Sequence, residues 1–344
     1  MSQLFGDPGS LHRVATAVSD AQLDAMPALR ARYGAKGRQH CIDDTVFHLT
    51  YLGEAVEFGD ATLFEDYIAW AKVMLASRGV GAADLAGNLE QMRVTLAGEN
   101  EPKAVAIIEQ VLARLPVLPE TAATFVGAEG GLADVARAYL GFLRGGKRQQ
   151  ADGLVHGALG EGTSVPDLYL GVFEPVQHEI GRLWQMNQIS VAQEHFCTAA
   201  VQRSMSQLYP MLFSGAPGRR RVVAACAGGE LHEIGLRMVT DLLELNGWDT
   251  VYLGASVPAE GIVQAVAEAP TALVALSTTI TPNLRKLAVM IEALRANADT
   301  KHVPIIVGGY PFRLSQGIVE QIGANGWAAN AAEAVRRADE LAVA

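Results

Sequence analysis

The sequence predicts a multidomain α + α/β chain, all-helical up to about residue 213 and a five-stranded parallel sheet beyond it. Apolar residues before that point recur three and four apart, the spacing of a helix buried on one face. After it, short apolar runs alternate with helix-length segments across short connections, the pattern of a parallel sheet with helices on both faces. Half of the 344 residues are hydrophobic and 19% are charged, which is enough apolar mass for two or three packed cores.

The elements follow in order. Val46, Leu49, Leu52 and Val56 make one helical stripe. Leu63, Tyr67, Trp70, Met74 and Leu75 make a second, and Leu85, Leu89, Met92 and Leu96 a third. Residues 127–131, Gly-Ala-Glu-Gly-Gly, read as a flexible break, and further helices run from about 134 to 213. A Gly/Pro/Arg hinge spans 215–221. Strands are predicted at 222–226, 251–254, 273–276, 305–307 and 327–329. The expected division is an N-terminal all-α domain over 1–132, a helical cap over 133–216 and the sheet domain over 217–344.

Charge and cysteine usage narrow the function classes. A net charge of −10, with Arg219-Arg220-Arg221 as the one short basic cluster, argues against direct nucleic-acid binding. Cys41, Cys197 and Cys226 lack metal-site spacing and fit a reducing cytoplasm. No stretch of about 18 apolar residues predicts a membrane span, and the N-terminus has no secretory pattern, so a cytoplasmic protein is expected.

The chemistry gathers at the predicted carboxyl ends of three strands. Glu230-x-His232-x-x-Gly235 follows the first, Ser277-x-Thr279 closes the third, and Gly308-Gly309 closes the fourth. That edge of an open α/β sheet is where ligands bind. Gly228-Gly229 has neither dinucleotide-fold spacing nor a following Walker lysine, so a phosphate loop is not expected. Glu230 or a neighbouring carboxylate can instead accept Nδ1–H of His232 and leave Nε2 free as a ligand.

Two upstream segments add to this. Ser190 and Gln193 form a capping box that opens a helix. Val191, Glu194 and His195 then share one face of it, with Trp184 folding back from the preceding helix. The indole can stack on a flat group, and Glu194 can accept hydrogen bonds from hydroxyls. Farther upstream, His40, Asp44 and His48 recur at steps of four, beside Cys41 and Tyr51. With Phe64, Tyr67, Trp70 and the basic residues Arg30, Arg32, Lys36 and Arg38 they suggest a pocket for a flat ligand bearing carboxylates. The same residues also fit an ordinary bundle with polar seam positions, or a heme site with His40 or His48 on iron.

The three-part motif at 230–235, 277–279 and 308–309 resembles the cobalamin-binding Rossmann-like domain, with Glu230 where the family usually has Asp. The resemblance implies His232 as the lower axial ligand of cobalt, in place of the cofactor's own base. It also implies contacts to the corrin and its nucleotide tail from Glu230, Leu231, Glu233 and Gly235, and from Ser277, Thr279, Gly308, Gly309 and Tyr310. Trp184-x9-Glu194-His195 resembles the adenosyl-capping motif of CarH-type photoreceptors, carried on a four-helix-bundle cap. It implies that Trp184, Val191, Glu194 and His195 enclose the upper 5′-deoxyadenosyl group. In that group a histidine directly follows the tryptophan; here the position is Gln185. CarH-type repressors also begin with a basic helix-turn-helix domain, and this chain has helices without a basic recognition helix instead.

The whole architecture is similar to the photocobilins, which bind adenosylcobalamin and biliverdin. That implies a bilin pocket in the N-terminal helices, with His40, His48 and Tyr51 as contacts and Cys41 as a candidate for a thioether. The expected function is a non-enzymatic light sensor, a homo-oligomer whose state changes when light breaks the Co–C bond, acting on an unidentified downstream partner. The alternative is a corrinoid carrier of a methyltransferase system. A mutase subunit is disfavoured, because no barrel-sized substrate domain is legible.

Overall fold

The computed structural model describes residues 3–127, 129–212, 218 and 220–343. The chain forms two compact units, 1–122 and 123–344. The expected division at 132 stands ten residues beyond this one. The cap and the sheet domain, expected as separate, both fall in the second unit.

The described residues of the first unit form six α-helices: α1 (Gln3–Gly6), α2 (Pro8–Ala25), α3 (Pro27–Phe58), α4 (Thr62–Ala76), α5 (Ala82–Gly98) and α6 (Pro102–Arg114). Prolines at the first positions of α2, α3 and α6 set φ for helix initiation where no N–H partner is needed. Gly34, at φ 61°, kinks α3 in a backbone region that glycine enters without a Cβ penalty. The core joins Val14 and Val18 to Leu49 and Leu52, and Leu89 and Met92 to Ile108. The expected α4 stripe needs correction. Leu63, Phe64, Tyr67, Ile68, Ala71, Lys72, Val73 and Leu75 are its buried residues, while Trp70 turns to the surface and Met74 is half-buried. The apolar positions fill more than one side of this helix, so spacing placed Leu63, Tyr67 and Leu75 correctly but not Trp70 and Met74.

The second unit begins with helices α7 (Leu132–Arg144), α8 (Arg148–Gly160), α9 (Val165–Leu168), α10 (Glu174–Gln185), α11 (Val191–Gln207) and α12 (Tyr209–Leu212). A π-helical turn, Tyr169–Phe173, joins α9 to α10. Inside the cap, the Tyr139 hydroxyl donates to Ser204 Oγ, which donates to Asp152, so these three buried side chains satisfy one another. Ile234, Met238 and Leu242 belong to the same apolar cluster, so the cap packs directly on the first helix of the sheet domain.

That domain has strands β1 (Arg220–Cys226), β2 (Trp248–Tyr252), β3 (Leu273–Ser277), β4 (Ile305–Gly308) and β5 (Gly326–Ala328), all parallel, in the order β2-β1-β3-β4-β5. Helices α13 (Ile234–Leu245), α14 (Ala259–Ala267), α15 (Leu284–Ala296), α16 (Tyr310–Leu314), α17 (Gly317–Gln321) and α18 (Ala331–Val343) connect and follow them. The chain reverses its progress across the sheet between β1 and β3, which opens a crevice at their carboxyl ends. Most of the expected 215–221 hinge, and residue 128 of the expected break, lie outside the described residues. Among the described residues no helix is long and apolar enough to cross a membrane, and the three cysteines are free thiols.

Candidate functional site

Strand register brings the motif together. Cys226 at the end of β1 pairs with Ser277, and Ser277 pairs with Gly308. The loop carrying His232, the Ser277 hydroxyl and the Gly308-Gly309 backbone therefore stand side by side along one sheet edge.

Glu230 is the hub of this edge. It is fully buried, and its carboxylate gathers donors from two loops. Oε1 accepts from the backbone N–H of His232 at 2.9 Å and lies 2.6 Å from His232 Nδ1. Oε2 accepts from the N–H groups of Thr279 at 2.7 Å and Ile280 at 3.1 Å, from the Thr278 hydroxyl at 3.2 Å, and from Asn283 Nδ2 at 3.3 Å. Burial alone would raise its pKa, but the bonds from His232 and the loop backbone outweigh it and hold the group down at about 2. The carboxylate in turn raises the pKa of His232, mainly through the side-chain hydrogen bond, and the charge of Glu194 adds to this. With Nδ1–H committed to Glu230, Nε2 is the free nitrogen of an imidazole whose side chain remains 60% exposed. Sequence reasoning placed Thr278 at this strand end without a contact and missed Asn283; both reach Glu230 from the loop that follows β3.

The other motif positions sort by contact. Glu233 accepts from Gln202 of α11 at 2.9 Å and from the Tyr252 hydroxyl at 3.1 Å, tying the His232 loop to the cap. Leu231 is exposed, and Gly235 stands at the start of α13. Below His232 a cavity of about 260 Å³ runs between the strand ends and α13, with Ser277, Thr279, Gly308, Gly309 and Tyr310 at its mouth. Its floor is apolar, from Leu236, Val239, Leu276, Ile306 and Ala334. Gly309 admits no side chain: at φ 115°, a Cβ would stand 1.8 Å from the Thr278 carbonyl oxygen. Phe125, Glu174, His178 and Arg313 also line this cavity and were not singled out in the sequence; the first three reach the strand ends only by long-range contact, whereas Arg313 follows Gly309 by four residues.

On the cap, Ser190 and Gln193 form the expected capping box. Glu194 Oε2 lies 2.5 Å from His195 Nδ1, and the Thr198 hydroxyl donates to Oε1 at 2.9 Å. Trp184 packs its indole partly into the cap core, Val191 is 52% exposed, and Gln185 is buried. This face repeats the sheet-edge arrangement: a carboxylate holds Nδ1 of an exposed imidazole.

In the first unit, His40, Cys41, Asp44 and His48 line a separate cavity of about 420 Å³, together with Tyr33 and Asn88. His48 is buried, its Nδ1 is 2.8 Å from the Tyr67 hydroxyl, and burial lowers its pKa to about 4. Tyr51 is not in the cavity lining; its ring stacks on Tyr67 at 3.7 Å. Phe64 and Trp70 are also absent from the lining. Arg30 and Arg38 pair with Asp24 and Asp20 away from the lining, while Arg32 pairs with Asp84, which is on the cavity wall.

The geometry agrees with comparisons against known proteins. Residues 220–336 match the family described as "B12 binding domain", and residues 135–209 match a second family of the same description. A dimethylamine corrinoid protein of Methanosarcina acetivorans is 26% identical over 166 residues, 48% of this chain and 77% of that one. The HTH-type transcriptional repressor CarA of Myxococcus xanthus is 32% identical over 155 residues, 45% of this chain and 51% of that one. The structure of the Methanosarcina barkeri monomethylamine corrinoid protein superposes with a TM-score of 0.55 at 24% identity, covering 61% of this chain and all of that one. This likeness is one of fold. The paired domain matches support cobalamin binding by the second unit.

Proposed function

Taking residues 135–336 as a cobalamin-binding module, we propose that the chain is a non-enzymatic light sensor that holds adenosylcobalamin between His232 and the cap. One observation carries the reading. The cap face bearing Trp184, Val191, Glu194 and His195 belongs to the same unit as His232, and the charge of Glu194 acts on His232.

The cavity fits the cofactor. About 150 Å³ suffices for one benzene ring, so the 260 Å³ slot, with its apolar floor, has room for a fused bicyclic base. The Gly308-Gly309 backbone keeps its mouth narrow and free of side chains. His232 would ligate cobalt from below through Nε2, in the tautomer fixed by Glu230. Ser277 would offer a hydroxyl to the displaced base, and Glu194 would accept from ribose hydroxyls. When bound, adenosylcobalamin supplies a cobalt–carbon bond that light breaks. Trp184 and Val191 would hold the adenosyl group against the cap, and the apolar surface they present would favour a new packing of the cap and a change in homo-oligomeric state once that group is gone. Gln185 is a poor metal ligand, so the illuminated upper position would be left to water or to His195.

Biliverdin is proposed as a second chromophore in the 420 Å³ cavity of the first unit. His40, Cys41 and His48 lie on its wall, which supports that choice over Tyr51. Biliverdin binding would appear as red absorbance without the Soret band of a heme.

The alternative reading is a corrinoid carrier serving a methyltransferase, favoured by the match to the dimethylamine corrinoid protein. Dark reconstitution with adenosylcobalamin, followed by green illumination in air, separates the two. A sensor changes both its absorption spectrum and its oligomeric mass on illumination. An unchanged spectrum and mass would refute the sensor reading.

A further inference from the structure

The tail slot has a third wall that the strand-end motif does not account for. Residues 123–127 form a strap fixed to α10: the Phe125 N–H and the Thr124 hydroxyl both donate to Glu179 Oε2, each at 3.0 Å. Glu179 is itself buried and paired with Arg182 at 2.6 Å, so the anchor is rigid. The strap holds Phe125 against His178, ring centroids 5.2 Å apart, beside the slot mouth.

Beside this wall stands Arg313 on α16, facing Glu174 and His178 of α10. Among the described lining residues it is the sole arginine or lysine, beside the carboxylate of Glu174 and the imidazoles of His178 and His232. The Arg313 guanidinium is held at one corner, where Nη2 donates to the Ala329 carbonyl at 2.5 Å. Its link to Glu174 of α10 is loose, at 3.9 Å, and the side chain is 43% exposed. A guanidinium presents five donors in a planar fork that matches two oxygens of a phosphate. Arg313 thus lines a cavity with an apolar floor, and its ion pair there is the loose one to Glu174.

We propose that Arg313 binds the phosphodiester of the cofactor's nucleotide tail, exchanging its loose contact with Glu174 for the phosphate. The slot floor takes the flat base, the strap and α10 close one side, and Arg313 meets the single negative charge that enters with the tail. The exchange releases α10 from α16, so filling the slot loosens one cross-link between cap and sheet. Arg313 is then a selectivity residue for corrinoids that carry a nucleotide tail. This inference rests on the cobalamin reading of the same site.

The test compares aquocobalamin with cobinamide, a corrinoid lacking the phosphoribosyl base, on wild type, Arg313→Ala and Arg313→Lys, by equilibrium dialysis in darkness. Losing a charge-assisted hydrogen bond should weaken cobalamin binding about ten- to one-hundred-fold in Arg313→Ala, with cobinamide affinity unchanged. Arg313→Lys should recover part of the loss, because it keeps the charge without the fork. Equal losses for both corrinoids, or no loss for either, would overturn the assignment. Failure of the wild type to bind either corrinoid would overturn the cobalamin reading itself, and this inference with it.

Discussion

Replacing Glu230 with Gln tests the hub of the sheet edge. Gln keeps the shape but has one acceptor oxygen and one NH₂ in place of two acceptors. With the oxygen facing Thr279 and Ile280, the NH₂ faces the N–H and Nδ1 of His232. That backbone N–H is left unpaired, and the imidazole shifts its proton to Nε2. Loss of charge-assisted bonds and one unsatisfied buried donor together cost about 3 kcal/mol. The depressed acidity gives the same scale: a fall from 4.5 to about 2 corresponds to about 3 kcal/mol, at about 1.4 kcal/mol per unit. In the wild type this stability is fully present above pH 4.5 and is lost as pH falls toward 2. The corrinoid-free wild type and Glu230→Gln should therefore differ by about 3 kcal/mol in urea unfolding at neutral pH and converge in acid. Because Nε2 is protonated in the variant, corrinoid affinity should also fall about ten- to one-hundred-fold. A difference below about 0.5 kcal/mol at pH 7 would refute the assignment of Glu230 as the anchor.

Three further outcomes are expected. Gly309→Ala places a Cβ against the Thr278 carbonyl at a strained φ, so thermal melting should fall by several degrees and cobalamin uptake with it; an unchanged melt would contradict the close approach. Burial raises the Asp241 pKa from 3.8 to about 6, against the bond it accepts from Tyr169, so the folded state resists its ionisation and loses stability as pH rises through 6. Asp241→Asn should then stabilise the chain by up to about 3 kcal/mol at pH 7.5 and leave it unchanged below pH 4; equal effects at both pH values would contradict the burial argument. Tyr67→Phe removes the partner of buried His48 Nδ1 and should cost about 1–3 kcal/mol by calorimetry; a neutral substitution would mean that another group satisfies that nitrogen.

The fold was legible where local pattern and burial coincide. Each predicted strand is present, shifted by three residues or fewer at either end, because all five run between helices as short apolar segments. The parallel arrangement placed Glu230-x-His232, Ser277 and Gly308 at one edge before any distance was known. The bond from Nδ1 to Glu230 was also readable, since two residues separate them. What stayed hidden depends on chain segments far apart in sequence. Thr278 and Asn283 reach Glu230 from the loop that follows β3, and Phe125, Glu174 and His178 reach the slot through the strap and α10. Trp70 and Met74 were misplaced because α4 carries apolar residues around more than one face. The π turn at Tyr169–Phe173 has no sequence signal among ordinary helix formers.

The central claim is that the His232 imidazole, oriented by Glu230, is the protein's ligand to cobalt. The most direct measurement is the dark absorption spectrum of wild type and His232→Ala after reconstitution with adenosylcobalamin and gel filtration. The wild type should retain the corrinoid with the spectrum of a nitrogen-ligated lower face. His232→Ala should lose that signature and most of the bound corrinoid. Equal retention with an identical spectrum would contradict the account.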